Sequence, residues 1–375
     1  ITTRLVGSEM CIRDRMKPFI RNLLRMSVYQ IKYMDAVPDS AVCNEAVKLA
    51  KRHKFAQLSG FVNGVLRNIA RNIDSVQLDT LSIRYSMPQW IVDRFVAAYG
   101  EKKAEEIFKA FHSKSTISIR TNLTRCTPDE LRAMLEAEGV TVTAVDELNY
   151  AFVISGFDYL NGLQSFRDGL FYVQDISSML VAQTAAPKKG DYVIDVCAAP
   201  GGKSTHIAEL LQGSGHVLAR DLTDNKVDMI EENIERHGLN NMSAEVWDAT
   251  VPDVDSAGKA DILICDLPCS GLGVLGRKKD IRYKMTPESV DELAALQRQI
   301  LDTVHTYVKP NGVLVYSTCT IDEAENEDNV RWFIEKHPEF ELDKSFAEGT
   351  GMKQILPGEP VSYTHLRAHE TRSNL

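Results

Sequence analysis

From Asp175 onward, short apolar runs alternate with amphipathic stretches, and this rhythm restricts the fold more than any other feature of the chain. Residues 192–197, 216–220, 244–247, 261–265 and 312–317 read as short strands. Helical patterns fall between them at 205–211, 224–237 and 287–308. Strands that are apolar on both faces and alternate with helices predict a doubly wound parallel sheet. In such sheets ligands sit at the carboxyl ends of the strands. The unusual motifs of this sequence fall at those ends.

The first is Asp195-Val-Cys-Ala-Ala-Pro-Gly-Gly-Lys-Ser-Thr205, a strand running through a turn of small residues into a helix. Small residues let backbone approach a ligand closely, and a helix N-terminus offers free N–H groups. Gly202-Lys203-Ser204 matches the end of a phosphate-binding loop, but that motif requires glycine where Cys197 stands, which argues against nucleotide hydrolysis. A tight turn with no ligand is the plain alternative. Asp221 and Asp248 end the next two strands, where carboxylates accept hydrogen bonds from ribose hydroxyls or face an adenine; either could equally cap a helix. Asp266-Leu-Pro-Cys269-Ser-Gly ends the fourth strand and Ser317-Thr-Cys319-Thr the fifth. Free cysteine is often only a small buried hydrophobe, and a metal pair would need further ligands that the nearby sequence lacks, so no metal is expected. Two thiols on one rim point to nucleophilic chemistry.

The remaining chain is mixed. Residues 16–72 read as helices, with Leu23, Leu24, Val28, Ile31 and Met34 in helical period, Asp39 and Ser40 capping a second helix, and a third stretch from Phe61. Residues 80–150 read as a small α+β module: a helix after Pro88, a strand from Ile117, and a helix starting at Thr127-Pro128. Residues 1–15 and 358–375 carry no clear period and read as translated read-through, so the natural protein is expected to differ at both ends and the sheet to lack strands there. Residues 16–72 hold ten Lys/Arg against three Asp/Glu, whereas 151–357 hold nineteen against thirty-three. A basic front assigns polyanion contact to that segment, or else marks solvated helix faces. Seven irregularly spaced cysteines suggest reduced thiols and a cytoplasmic setting.

AAPGGKST, DLPCSGLG and STCT, in this order, resemble the RNA cytosine-C5 methyltransferases. The front segment, RNLLRMSVYQIKYMDAVP through FVNGVLRNIAR, is similar to the later half of a NusB-like helical domain, a fusion typical of the Sun/Fmu family of bacterial 16S rRNA enzymes. The resemblance covers most of 16–357. It implies a class I, Rossmann-like methyltransferase domain over 151–357, preceded by the α+β module and a partial all-α NusB-like domain. It implies S-adenosyl-L-methionine as cofactor, 16S rRNA as partner, and a chain working as a monomer.

By the same resemblance Cys319 is the nucleophile, Cys269 assists product release, Asp266 meets the N3/N4 edge of cytosine and Lys203 orients the base or the cofactor. The cofactor cradle is Cys197, Ala198, Ala199, Pro200, Gly201, Gly202 and Lys203, with Asp221, Asp248 and Asp266. Residues 277–284 hold five positive charges and one negative, so Arg277, Lys278, Lys279 and Arg282 are the expected phosphate grip. A solvated loop is the alternative. A tRNA or DNA cytosine methyltransferase is the competing enzyme, disfavoured by the NusB-like front and the Thr-Cys motif respectively. A non-catalytic RNA-binding assembly factor is the competing non-enzyme, disfavoured because both cysteines are present.

Overall fold

The computed structural model describes residues 16–75, 79–113, 116–146, 148–358 and the backbone of 364–370. The reading of 1–15 as read-through therefore lies outside the described residues. The chain divides into two compact units, residues 1–84 and 85–375.

Among its described residues the first unit holds three long helices, α1 (Pro18–Tyr33), α2 (Asp39–Arg52) and α3 (Ser59–Asn72). Pro18 opens α1, where its missing N–H costs no helical hydrogen bond. Ile20, Leu23 and Leu24 of α1, Cys43, Ala46 and Ala50 of α2, and Val62 and Leu66 of α3 form one core. Two local expectations are corrected. Met34 lies past the end of α1 and is exposed, and Asp39 is the first residue of α2 rather than its cap, which is Pro38.

The second unit opens with α4 (Gln89–Tyr99) and α5 (Glu101–Ala110). Strand β1 (Ile117–Thr121), α6 (Pro128–Ala137), β2 (Thr141–Val145), β3 (Leu148–Ser155) and β4 (Phe171–Val173) follow. The four strands form an antiparallel sheet in the order β2-β3-β1-β4. Thr127 and Glu130 form a reciprocal capping box at the start of α6. Ile119, Phe152, Ile154 and Phe171 of the sheet meet Leu131 and Leu135 of α6 in a second core.

The larger sheet begins after α7 (Ile176–Ala185), with β5 (Tyr192–Asp195), α8 (Gly202–Leu210), β6 (His216–Asp221), α9 (Asp224–His237), β7 (Met242–Val246) and β8 (Ala260–Asp266). It continues with α10 (Pro287–Val304), β9 (Val308–Thr318), α11 (Glu327–Lys336), β10 (Phe340–Leu342), β11 (Met352–Gln354) and β12 (Thr364–Glu370). The strand order is β10-β12-β9-β8-β5-β6-β7, with β11 also paired to β12. Strands β5 to β9 are parallel, and β12 runs antiparallel to β9. The expected missing edge is thus corrected: residues 364–370 pair with β9 on one side and β10 on the other.

Successive residues of a strand point to opposite faces. Ile262 and Ile264 of β8 accordingly pack with Ala182, Ile207 and Ile230 on one face, while Leu263 and Cys265 pack with Ile300, Val304 and Phe333 on the other. The chain leaves β5 toward β6 on one side and β8 lies on the other, so a crevice opens at the carboxyl ends of β5 and β8.

Candidate active site

Residues 196–201 cross that crevice as a tight turn. Gly201 has φ +98°, a conformation that L side chains rarely adopt, and a Cβ on Gly202 would stand 3.1 Å from the Tyr172 ring. Asp221, buried at the end of β6, accepts from the N–H groups of Ala199 (2.9 Å) and Leu222 (2.8 Å) and from Lys226 Nζ (2.7 Å). It therefore pins the turn.

Beside the turn lies a cavity of about 220 Å³ whose lining includes Gln174, Asp175, Asp195, Cys197, Lys203 and Asp266. Burial pushes the Asp195 carboxyl up to about 7, against the Ser204 hydroxyl that donates to it. Burial also pushes the Cys197 thiol well up, so it lines the cavity as a neutral group. Asp248 stands two residues past β7, exposed, and accepts from Thr250 N (2.9 Å) and Oγ1 (2.7 Å). These bonds hold its carboxyl below the usual range, and it does not line the cavity.

The rim at the ends of β8 and β9 carries the reactive groups. Asp266 is ion-paired with Lys203 and accepts from Ser317 Oγ at 2.8 Å. Cys269 and Cys319, both partly exposed, place their sulfurs 3.1 Å apart, and Cys319 N donates to Cys269 Sγ at 3.3 Å. The hydrogen bond from Cys269 lowers the Cys319 pKa, helped by Lys203 and Lys278 and opposed by burial and Asp266. The same hydrogen bond, then burial, raises that of Cys269. Of two touching thiols, Cys319 is the one placed to carry the negative charge. Gly273 N donates to Cys319 O (3.1 Å), and a Cβ there would stand 2.8 Å from that oxygen, so the Pro-Cys loop needs glycine to approach the Thr-Cys loop.

The basic stretch divides. Lys278 and Lys279 are exposed, while Arg277 is ion-paired with Asp175 of the cavity wall. Arg282 corrects the sequence expectation: it is buried, and its guanidinium reaches the carbonyls of Leu275 (3.1 Å), Ser86 (3.4 Å) and Tyr85 (3.5 Å). It anchors the loop from beneath. Sequence reasoning missed Gln174, Asp175, Asp195, Ser317 and Glu325; Asp195 and Ser317 stood at the head of quoted motifs, and Glu325 lies six residues past Cys319. Among the described residues, Asp302, His305 and His337 bring ligand atoms within 4.8 Å of one another, but at the far end of α10, and Lys336 Nζ already holds Asp302 at 2.8 Å.

A parallel sheet with this strand order, a small-residue turn after β5 and a thiol pair on the rim defines a Rossmann-like methyltransferase. The sequence profile of the 16S rRNA methyltransferase RsmB/F family matches residues 182–367, that of the NusB family 11–71, and that of the RsmF/B-like ferredoxin-like domain 87–157. The chain is 39% identical over 362 residues to the probable ribosomal RNA small subunit methyltransferase B of Bacillus subtilis, covering 92% of this chain and 80% of the relative. It is 33% identical to ribosomal RNA small subunit methyltransferase B of Vibrio cholerae, covering 96% of this chain and 82% of the relative.

Among solved structures, PH0851 is similar at TM-score 0.78 and 27% identity, covering 94% of this chain and 82% of that one. NSun6 from Pyrococcus horikoshii, solved with SFG, shares the fold at TM-score 0.69 and 23% identity, over 76% of this chain and 99% of that one. The chain belongs to the RsmB/F family of S-adenosylmethionine-dependent rRNA methyltransferases. The profile matches begin before residue 16 and reach beyond residue 358, into both stretches that the sequence pattern set apart. No helix among the described residues is long and apolar enough to cross a membrane.

Proposed function

We propose that this chain methylates carbon 5 of a cytosine in 16S rRNA, with Cys319 as nucleophile and Cys269 as the group that assists release. The observation that carries the reading is the 3.1 Å thiol pair beside the Lys203–Asp266 ion pair. Carbon 5 of cytosine is a weak nucleophile. Addition of the Cys319 thiolate to carbon 6 makes carbon 5 enamine-like, able to attack an electrophilic methyl. Asp266, at the same rim, protonates or hydrogen-bonds the N3/N4 edge, so that the electron pair pushed onto N3 by the addition is taken up by a proton. Loss of the carbon 5 proton and of the Cys319 sulfur then restores the ring, with Cys269 positioned to take part in that elimination.

The cavity suits S-adenosylmethionine: its wall is kept open at Gly202, where a Cβ would stand 3.1 Å from the Tyr172 ring, and its lining offers carboxylates and an ammonium to a charged amino acid. When bound, this cofactor supplies the methyl on a sulfonium. Residues 197–203 would line it, and Asp221 retains acceptor capacity for a ribose hydroxyl at the crevice end. Asp248, outside the lining, is left with a loop-capping role. Lys278 and Lys279 would meet RNA phosphates, with Arg277 releasing Asp175 to join them. The target base must leave its stack to expose both faces.

The test is a denaturing gel after incubation with rRNA and S-adenosylmethionine. Cys269→Ala should add and methylate but release slowly, giving a retarded covalent band. Cys319→Ala should give no band and no methylation. A band from Cys319→Ala alone would reverse the two roles.

A further inference from the structure

Glu325 takes no part in the chemistry above, yet it joins both loops that carry the thiols. It is fully buried in the short turn Glu323–Glu325 between β9 and α11. Its Oε1 accepts from Ser270 N (2.8 Å) and Gln297 Nε2 (3.0 Å), and its Oε2 from the Ser270 hydroxyl. Burial pushes its carboxyl above the usual range, and these three donors, each suited to the charged form, pull against that. The turn itself is anchored: the Glu325 carbonyl accepts from the Tyr316 hydroxyl and Asn329 Nδ2, and Gln297 Oε1 accepts from Asn329 Nδ2 at 2.7 Å. Ser270 directly follows Cys269, Thr320 directly follows Cys319, and their hydroxyls lie 3.0 Å apart.

We propose that Glu325 is a positioning residue for the reaction: it locks the Cys269 loop against the Cys319 loop and so sets which of the two thiols is the nucleophile. This rests on the roles assigned above to the two thiols. The charges around the pair are consistent with it. Beyond the thiol–thiol hydrogen bond and burial, Lys203 and Lys278 pull the Cys319 pKa down against Asp266, whereas Glu325 and Asp266 push that of Cys269 up. Glu325 in turn faces Asp322, whose carboxylate is paired with Arg94. Two thiols in contact share one titration, and a carboxylate nearer one of them decides which sulfur holds the charge.

Iodoacetamide alkylation of the full chain, without RNA or cofactor, reads this directly when each cysteine is followed by peptide mass across pH. The wild type should react first at Cys319. In Glu325→Gln the preference for Cys319 over Cys269 should fall about ten-fold, the equivalent of one pKa unit between the two thiols. The Cys269 profile should also move to lower pH. In turnover, kcat should fall while KM for rRNA stays within about two-fold. Ser270→Ala keeps the carboxylate and removes only the hydroxyl link; it should lower the preference by a smaller factor, and it decides the matter if circular dichroism finds Glu325→Gln unfolded. An unchanged preference in a folded Glu325→Gln, or in Ser270→Ala where that variant decides, overturns the proposal. Alkylation needs no turnover, so loss of preference without any covalent band on RNA would sink the proposed reaction and leave this role of Glu325 standing.

Discussion

Replacing Arg120 with methionine tests how the two sheets of the second unit are joined. Arg120 lies on β1, is fully buried, and forms an ion pair with Glu209 of α8. Its other nitrogens reach Gln174 Oε1 (2.8 Å) and Thr205 Oγ1 (3.1 Å), and its guanidinium lies 5.7 Å from the centre of the Tyr172 ring. Methionine fills much of the same space but leaves the buried Glu209, among the described residues, with His237 as its remaining charged partner, 3.5 Å away, and burial holds that imidazole's pKa below its ordinary value. Breaking a buried pair from one side costs about 3–5 kcal/mol, whereas replacing both partners costs far less. Arg120→Met should therefore lose about 3–5 kcal/mol, and the double variant Arg120→Met/Glu209→Gln should recover about 2 kcal/mol or more. Urea unfolding followed by tryptophan fluorescence isolates the relevant unit, because Trp90, Trp247 and Trp332, the three tryptophans of the chain, all lie in residues 85–375. Strictly additive costs, or a loss below about 1 kcal/mol in the single variant, would refute the account. Cofactor affinity should weaken in parallel, since Gln174 and Tyr172 both line the cavity.

Two further outcomes follow from the site. Lys278→Ala/Lys279→Ala should weaken rRNA binding and flatten its log–log salt dependence by about 1.5, whereas Arg282→Ala should leave the slope unchanged and cost about 2 kcal/mol of stability through unpaired carbonyls; filter binding across salt and urea unfolding separate the two. Asp195 is a pH-dependent element: its carboxyl is raised from 3.8 to about 7 in the fold. The folded state keeps the proton longer than the unfolded one, so this stabilisation is complete below about pH 4 and is lost as pH rises through about 7. Asp195→Asn should remove that decline, changing the wild-type-minus-variant difference by about 4 kcal/mol between acidic and alkaline pH. An equal difference at about pH 5 and about pH 8 would show that Asp195 does not titrate in this range.

The sequence was most informative where local pattern decides structure. Helix α9 spans the residues its period marks, Asp224–His237, and the five parallel strands of the larger sheet fall within a few residues of their expected places, because their apolar runs fix what each element buries. The thiol pair was legible because its two motifs end neighbouring strands. What was not legible depends on contacts far apart in sequence. Arg282 reads as one more cation in a basic run, and only the fold reveals that it points inward at Tyr85 and Ser86. Arg120 lies in an alternating strand with nothing nearby to announce a partner at Glu209. Strand β12 escaped because residues 364–370 mix polar with apolar side chains, and their pairing comes from β9 and β10 rather than from their own pattern.

Helix α4 touches the segment just past Cys319: Arg94 pairs with the buried carboxylate of Asp322, and the Tyr99 hydroxyl donates to the Ile321 carbonyl. The catalytic sheet is therefore not a separable cassette. A chain begun at residue 151, the expected start of the methyltransferase domain, would lose both partners and strip Asp322 of its arginine three residues past Cys319. Exchanging residues 85–150 for the corresponding module of a distant relative would carry the same penalty unless an arginine and a tyrosine came at matching positions. A hybrid that respects only the sheet's boundaries would therefore begin without two of the contacts that hold the segment after Cys319.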